Sequence, residues 1–361
     1  MNRKFNRKVI FSKTPLTTAF RFGDIFQIYP CDFLNAPQSD HCSDIPLVID
    51  YWYDLDENPE VDSEYDSIKE FASEGVNQIN RLKRITNILT AVTNHRFFDY
   101  TSTSTKWGIV MPEQDELEKI IASSEPWENP SRVFLPRYEY SNLAKDKVLT
   151  EFAPIRHQHT QLVKHIDYYL NDPIESRDKV ITLPQTIHDL LTKYFSIEKK
   201  QRTIIDTVAH LICNGIDLEK EMKSLSFLSF VSSIESLVNF EYKDKKDDIE
   251  FECNDCQAIK NSPIKCPKCG RPIWGVKAKF KTFLKTYVAK SEDSIAKYNR
   301  IYNLRSDIVH NGMLLLGDEQ LDWKKSKKAD SQWMTHLETK QLARLALVNW
   351  LLLGPNRPVV A

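Results

Sequence analysis

The chain has 361 residues, of which 41% are hydrophobic and 27% are charged, and its formal net charge is −1. This length allows two domains with a core each, and the composition excludes a disordered or fibrous protein. The nearly balanced charge excludes a global positive field, so nucleic acid would have to bind to a local basic patch. We expect a cytoplasmic protein without a membrane span, because residues 1–12 lack the apolar run of a signal peptide and residues 342–353 are interrupted by Arg344 and Asn349.

The N-terminal half, residues 1–183, predicts an α+β module of unknown role. Short runs that are rich in β-branched and aromatic residues predict strands at 8–11, 25–29, 47–53, 96–100, 107–110 and 132–136. A long helix is expected from Ser63 to about Thr93, and residues 157–170 predict another. This half contains no Gly-rich phosphate loop and no nucleophile elbow, so its sequence names no chemistry.

The C-terminal half, residues 184–361, predicts an all-α bundle. Helical periodicity and Gly or Pro punctuation place helices at 184–195, 197–214, 218–240, 276–289, 291–311 and 336–353. The helix at 218–240 is almost wholly apolar, which indicates a central position in the bundle. Residues 315–331 predict a long basic loop before the last helix.

Two cysteine pairs predict a zinc site inside this half. Cys253-x-x-Cys256 and Cys266-x-x-Cys269 are separated by nine residues, a spacing that is typical of a zinc ribbon, here inserted at 243–275. Four thiolates leave no open coordination position, so the Zn²⁺ would be structural. A redox dithiol pair is the competing interpretation of the cysteines, and the cluster of His157, His159 and His165 is a weaker metal candidate.

A basic stretch follows the cysteines. From residue 260 to 290 the chain has nine basic residues and no Asp or Glu: Lys260, Lys265, Lys268, Arg271, Lys277, Lys279, Lys281, Lys285 and Lys290. Such a surface can track a phosphate backbone. The alternative is a solvated helix face that also offsets the charge of the metal centre.

Arg305 and His310 are the main candidate functional residues. Arg305 falls within an apolar stripe of the helix at 291–311, where a permanent charge needs an acidic partner, a phosphate or a water-filled cleft. On a regular helix His310 would lie about 140° away from Arg305. Because Gly312 is a C-cap signal, we expect the last turn to unwind and redirect the imidazole. The alternative is a packed arginine and a histidine that complements the helix dipole.

A second misplaced charge lies in the central helix. Glu235 continues the apolar stripe of Leu228, Val231 and Val238. We expect this carboxylate to orient Arg305 or His310 from the neighbouring helix. An unrelated glutamate at the edge of the helix is the alternative, since no spacing rule connects two helices.

The segment Leu304 to Gly312, which follows a Tyr-rich helix, resembles the R-x(4-6)-H signature of the HEPN superfamily and especially of its Apea-like branch. The resemblance covers roughly the C-terminal half of the chain. It implies an HEPN-type helical bundle that pairs as a homodimer, with the Arg and His of both protomers in one cleft that cuts RNA without a metal. Arg305 and His310 match the signature, and Ser306 follows the arginine where many members carry Asn, Asp or His.

The resemblance implies an endoribonuclease whose products carry a 2′,3′-cyclic phosphate and a 5′-hydroxyl. His310 would transfer protons and Arg305 would stabilise the phosphorane, with Glu235 in support. The expected contacts with RNA are Asn311, Lys277, Lys279 and Lys281. Transfer RNA is one candidate substrate. A conditional toxin or antiviral defence effector, with a protein inhibitor or a trigger, is the implied context. The alternative is a non-catalytic HEPN and zinc-ribbon module that binds RNA or a protein.

Overall fold

A computed structural model of the chain describes residues 3–31, 44–55, 66–99, 150–170, 178–243, 251–252, 258–260, 268, 275–318 and 326–354. The chain divides into two compact units. The first comprises Met1–Thr86, His95–Val163 and Pro173–Leu183, and the second comprises Asn87–Asn94, Lys164–Asp172 and Pro184–Ala361. The units are not continuous in sequence, because Asn87–Asn94 and Lys164–Asp172 group with the residues after Leu183.

The first unit is built on an antiparallel sheet of four strands in the order β1-β4-β3-β2. The strands are β1 (Arg3–Ser12), β2 (Phe20–Phe22), β3 (Phe26–Pro30) and β4 (Ile45–Asp54). One face packs on helix α1 (Asp66–Val92), because Tyr53 donates a hydrogen bond to Glu74 at 2.9 Å and Tyr51 donates one to the Gln78 carbonyl at 3.4 Å. The residues that alternate with these tyrosines on β4 therefore occupy the opposite face.

Three predicted strands and the long helix are confirmed in this unit, with small shifts of their ends. Two other predictions are wrong. Residues 96–99 form only an isolated bridge, between Phe98 and Phe11. Residues 157–164 are not helical, because their backbone carbonyls accept hydrogen bonds from other segments. The Ala19 amide donates to the Gln158 carbonyl and the Leu183 amide donates to the Gln161 carbonyl. The predicted strands at 107–110 and 132–136 lie outside the described residues.

The second short sheet pairs β5 (Leu162–Val163) with β6 (Leu183–Pro184). Helix α2 (His165–Leu170) follows β5 and is all that forms of the helix predicted at 157–170.

Helices form the body of the second unit, as the sequence predicts. They are α3 (Ile187–Ser196), α4 (Lys199–Leu218), α5 (Lys223–Glu241), α6 (Val276–Tyr287), α7 (Glu292–Asn311) and α8 (Ser326–Leu353). Helix α5 packs against α4, α6, α7 and α8, which confirms its central position. It buries Phe227, Phe230, Val231, Ile234, Leu237 and Val238.

Two predicted boundaries in this unit are wrong. Helix α4 continues through Asn214 and Gly215 to Leu218. A β-carbon at Gly215 would lie 2.5 Å from a ring atom of Phe230, so this glycine is required by close helix packing and does not end the helix. Helix α8 begins at Ser326 and not at 336, so the end of the predicted basic loop is helical.

Strands β7 (Phe251–Glu252) and β8 (Ile259–Lys260) pair antiparallel, so the chain reverses between them. The residues that connect these strands include Cys253 and Cys256. No helix within the described ranges is both long and apolar enough to cross a membrane.

Candidate functional site

Helix α7 carries the Arg305 and His310 motif and has defined caps at both ends. The Ser291 side chain accepts a hydrogen bond from the Ser294 amide at 3.2 Å at the N-terminus. Gly312 ends the helix with a φ of +63°, which confirms the predicted C-cap. The last turn does not unwind before His310, contrary to the prediction, because regular helix continues to Asn311. Arg305 and His310 therefore point about 140° apart around α7.

Arg305 forms an ion pair with Glu235 of α5. Its Nε atom lies 3.3 Å from Oε1 of Glu235 and its Nη2 atom lies 3.4 Å from Oε2. The expected partnership of the two charges is thus present, and it involves Arg305. Both distances are long for charge-assisted hydrogen bonds, and the side chains are 24% and 15% exposed. The guanidinium is held in position and retains access to solvent.

Tyr302 lies beside this pair, one turn before Arg305, and the sequence analysis did not select it. Its ring centroid is 5.4 Å from that of Phe280 in α6. Burial raises the pKa of Tyr302, the negative charge of Glu235 raises it further, and Arg305 opposes the shift. The phenol is therefore a neutral hydrogen-bond donor at physiological pH.

His310 is exposed and shares a face of α7 with Asn303, because residues seven apart on a helix nearly align. These two residues are separated by two turns, or about 10 Å along the axis. Lys277 of α6 donates a hydrogen bond to Oδ1 of Asn303 at 2.8 Å. The polar face that ends at His310 is therefore bordered by a basic helix. The seven-residue spacing is the signal that could have selected Asn303 from the sequence.

The basic helix α6 presents Lys277, Lys281 and Lys285 on successive turns, and we call these three residues the lysine stripe. Partial burial lowers the pKa of Lys281, and the positive charges of Lys277 and Lys285 lower it further. This mutual repulsion is what a phosphate backbone relieves. Lys279 lies on another side of α6, so the structure does not group it with Lys277 and Lys281 as the sequence analysis expected.

Asn311, the other expected substrate contact, is exposed at the end of α7. Its side-chain amide donates to Oδ1 of Asp307 at 3.1 Å. This bond orients the amide and uses one of its two N–H groups, so the second N–H and the carbonyl oxygen can still meet a substrate.

Three exposed apolar residues lie toward the end of α7 and the start of α5. Helices α5 and α7 run antiparallel, because Glu235 contacts Arg305 whereas Ser224, earlier on α5, accepts a hydrogen bond from the amide of Leu315, after α7. Leu225 precedes Glu235 on α5, and Val309 and Leu314 follow Arg305 along the chain. Their exposed fractions are 50%, 47% and 44%. We call these three residues the apolar patch.

The predicted zinc ligands Cys253, Cys256, Cys266 and Cys269 lie outside the described residues. Within the part of the chain that is described, no three His, Cys, Asp or Glu side chains form a group that could hold a metal ion. His157, His159 and His165 therefore do not form the alternative site.

Comparison with models of protein families, with curated proteins and with solved structures found no match.

Proposed function

We propose that the protein is a metal-independent endoribonuclease of the HEPN type, with Arg305 and His310 as catalytic residues. The observation that carries the proposal is the partly exposed Arg305, which Glu235 of α5 holds in position. Arg305 lies on α7, the helix that also presents the exposed His310. A purely structural arginine would be expected to have shorter contacts and no route to solvent. The lysine stripe beside this helix supports a polyanionic substrate.

The residue types suit cleavage of RNA by its own 2′-hydroxyl. A base removes the proton of that hydroxyl, the oxygen attacks the adjacent phosphorus, and an acid protonates the departing 5′-oxygen. Histidine exchanges protons near neutral pH, and a guanidinium matches two oxygens of the phosphorane without losing its charge. The products would carry a 2′,3′-cyclic phosphate and a 5′-hydroxyl, and DNA would resist cleavage.

The active form in this proposal is a homodimer. Arg305 and His310 point to different sides of one helix, so a single protomer does not direct both at one phosphate without rearrangement. A second copy can place its own α7 across the cleft, and two-fold pairing is the commonest assembly of soluble proteins. The apolar patch supplies a surface next to Arg305 that such a pairing would bury.

A structural Zn²⁺ bound by Cys253, Cys256, Cys266 and Cys269 belongs to the same proposal. The strand pairing on either side of Cys253 and Cys256 supports a zinc ribbon, in which a short hairpin carries the first ligand pair. A cytoplasmic toxin or antiviral defence effector that cuts transfer RNA, under the control of an inhibitor or a trigger, is the biological setting that the HEPN resemblance suggests.

The alternative function is a non-catalytic module that holds RNA or a partner protein. Its supporting observation is the regular helix through Asn311, which points Arg305 and His310 about 140° apart and does not direct both at one phosphate. This alternative predicts stable RNA binding through the lysine stripe and no new RNA ends.

Cleavage of total RNA in EDTA tests the main proposal. We expect the wild-type protein to produce cyclic phosphate ends and His310→Ala to produce none. His210→Ala is the matched control, because His210 is an exposed helical histidine on α4. Equal cleavage by His310→Ala would refute the proposal, whereas intact RNA with all three proteins and retained RNA binding would favour the module.

The dimer is tested by Leu225→Asp in the apolar patch. We expect this charge to shift light scattering from dimer to monomer and to abolish cleavage together with the dimer. Ile166→Asp is the control, because Ile166 is a 68% exposed apolar residue on α2. A wild-type protein that is monomeric and active would contradict the composite site.

A further inference from the structure

The β-sheet of the first unit carries a cavity that the proposed nuclease chemistry does not use. Its volume is about 460 Å³, within the range of small-ligand sites. The lining includes Arg3 of β1, Arg21 of β2, Trp52 of β4 and Phe152 of the segment that crosses the sheet. We call it the sheet cavity.

Aromatic rings form one wall of the sheet cavity. Phe5 meets Trp52 edge to face at 5.4 Å between ring centroids, and meets Phe152 in the same manner at 5.6 Å. The guanidinium of Arg21 lies over the Phe152 ring, 4.5 Å from its centroid. These perpendicular contacts fix the aromatic faces, and a fixed face is what a flat ligand stacks on.

The Phe152 side of the cavity is held by a buried network. Asp50 is fully buried in β4, and its carboxylate accepts a hydrogen bond from the amide of Ala153 at 2.8 Å. Gln27 donates to the Ala153 carbonyl at 2.9 Å, so both backbone groups of this residue are anchored to the sheet. Arg7 neutralises Asp50 with bonds of 2.6 and 3.0 Å. The wall is therefore formed before any ligand arrives, which lowers the entropic cost of binding.

Both cavity arginines can exchange their present partners. Arg3 pairs with Asp54 and Arg21 pairs with Asp24, and the four side chains are between 34% and 87% exposed. Arg21 also donates through Nε to the Gly23 carbonyl at 2.9 Å, which leaves its Nη1 group for a ligand. Exposed ion pairs contribute little stability, whereas a guanidinium binds a phosphate through two hydrogen bonds. Asp24 and the exposed Glu151 at the cavity can accept hydrogen bonds from the amino groups of a base.

We propose that the sheet cavity binds a nucleotide, with the base stacked on Trp52 and the phosphate held by Arg3 and Arg21. The nucleotide is either free in solution or the end of an RNA strand, since the recognised chemistry is the same. This site uses neither Arg305 nor His310 and does not depend on the proposed nuclease activity.

Isothermal titration calorimetry of the full chain with AMP, GMP, CMP and UMP tests the site. We expect at least one mononucleotide to bind, and both Arg21→Gln and Trp52→Leu to raise its dissociation constant at least tenfold. Arg300→Gln is the matched control, because Arg300 is an exposed, ion-paired arginine on α7. Adenosine and the other nucleosides, which lack the phosphate, are expected to bind more weakly than their monophosphates.

A second titration distinguishes the sources with a 5′-phosphorylated tetranucleotide whose 2′-hydroxyls are methylated, so that 2′-hydroxyl attack is blocked. Binding at least tenfold tighter than that of the mononucleotides assigns the site to an RNA strand, and equal binding assigns it to a free nucleotide. The proposal is overturned if none of these probes binds at millimolar concentration, or if Arg21→Gln binds like the wild type. If Trp52→Leu fails to fold, the affinity of Arg21→Gln for the nucleotide still tests the proposal. Nucleotide binding together with intact RNA in the cleavage test would leave this site standing and favour the non-catalytic module over the nuclease.

Discussion

Each of the two units contains an arginine–carboxylate pair. The two pairs differ in the burial of the carboxylate, in its hydrogen-bond partners and in the distance between the charges. In the sheet unit, Asp50 is fully buried, and its carboxylate accepts hydrogen bonds from Arg7, Gln27, Tyr29 and the Ala153 amide. In the helical unit, Glu235 and Arg305 are both partly exposed and meet at 3.3 to 3.4 Å.

The burial and hydrogen bonding of a charged pair indicate whether it stabilises the fold or positions a charge for a ligand. A carboxylate that is buried and fully hydrogen-bonded holds backbone segments together, and the removal of either charge leaves the other uncompensated. A loose and partly exposed pair contributes little to folding but positions a charge that a ligand can reach. Substitutions in the two pairs should therefore affect different measurements.

The largest stability effect is expected for Asp50→Asn. The change removes the charge of the fully buried carboxylate and leaves Arg7, whose side chain is 16% exposed, without its counter-charge. It should lower the free energy of unfolding by about 3–5 kcal/mol, as measured by urea denaturation. The control is Asp54→Asn, four residues along the same strand, whose exposed pair with Arg3 should contribute less than about 1 kcal/mol. Similar losses from both substitutions would remove the contrast between buried and exposed pairs.

A buried histidine extends the comparison into the helical unit. His336 is 1% exposed, its Nε2 atom lies 2.9 Å from the Ser226 hydroxyl, and its ring packs on Phe230 and Trp333. Burial lowers the pKa of His336 to about 4, with opposing smaller effects from Glu219 and Asp318, which raise it, and from Lys340 and Lys223, which lower it.

The folded state therefore binds this proton less readily than the unfolded state does. The stability from neutral His336 is complete above about pH 6.5 and is lost as the pH falls from 6.5 through 4, by about 2–3 kcal/mol. We expect His336→Asn to flatten this part of the curve of unfolding free energy against pH. The exposed His210→Asn should keep the wild-type slope, and an unchanged slope in His336→Asn would show that other groups cause the acid sensitivity.

Arg305→Lys should separate activity from stability. Lysine keeps the charge but loses the forked donors, so we expect RNA cleavage to fall about a hundredfold while the free energy of unfolding stays within about 1 kcal/mol. Arg300→Lys, five residues earlier on α7, should leave both quantities unchanged. A large loss of stability in Arg305→Lys would instead make this pair a structural one.

The smallest effect is expected for Glu235→Gln. The amide can still meet the guanidinium, so stability should change by less than about 1 kcal/mol and cleavage should fall about tenfold if Glu235 positions Arg305. Ser236→Ala, at the next position of α5, is the control. Unchanged cleavage by Glu235→Gln would remove this residue from the candidate site.

Local sequence rules predicted the elements whose patterns are complete within one segment. Helix α7 shows this, because Ser291, the periodic apolar residues and Gly312 act over a few turns and need no distant partner. The position of α5 in the core likewise followed from its nearly continuous apolar surface. The sequence predicted the pairing of Glu235 with Arg305 only indirectly, because each is a charged residue within an apolar helix stripe and needs a partner of opposite charge.

Tertiary structure alone decided the features that depend on distant segments. Helix α4 passes through Gly215 because Phe230 of another helix occupies the space that a β-carbon would need. The sheet cavity exists because Asp50 binds the amide of Ala153, which is 103 residues away in the chain. Hydrophobic periodicity and capping act over one or two turns, whereas cavities and buried ion pairs arise where segments that are remote in sequence meet, and no local pattern records that meeting.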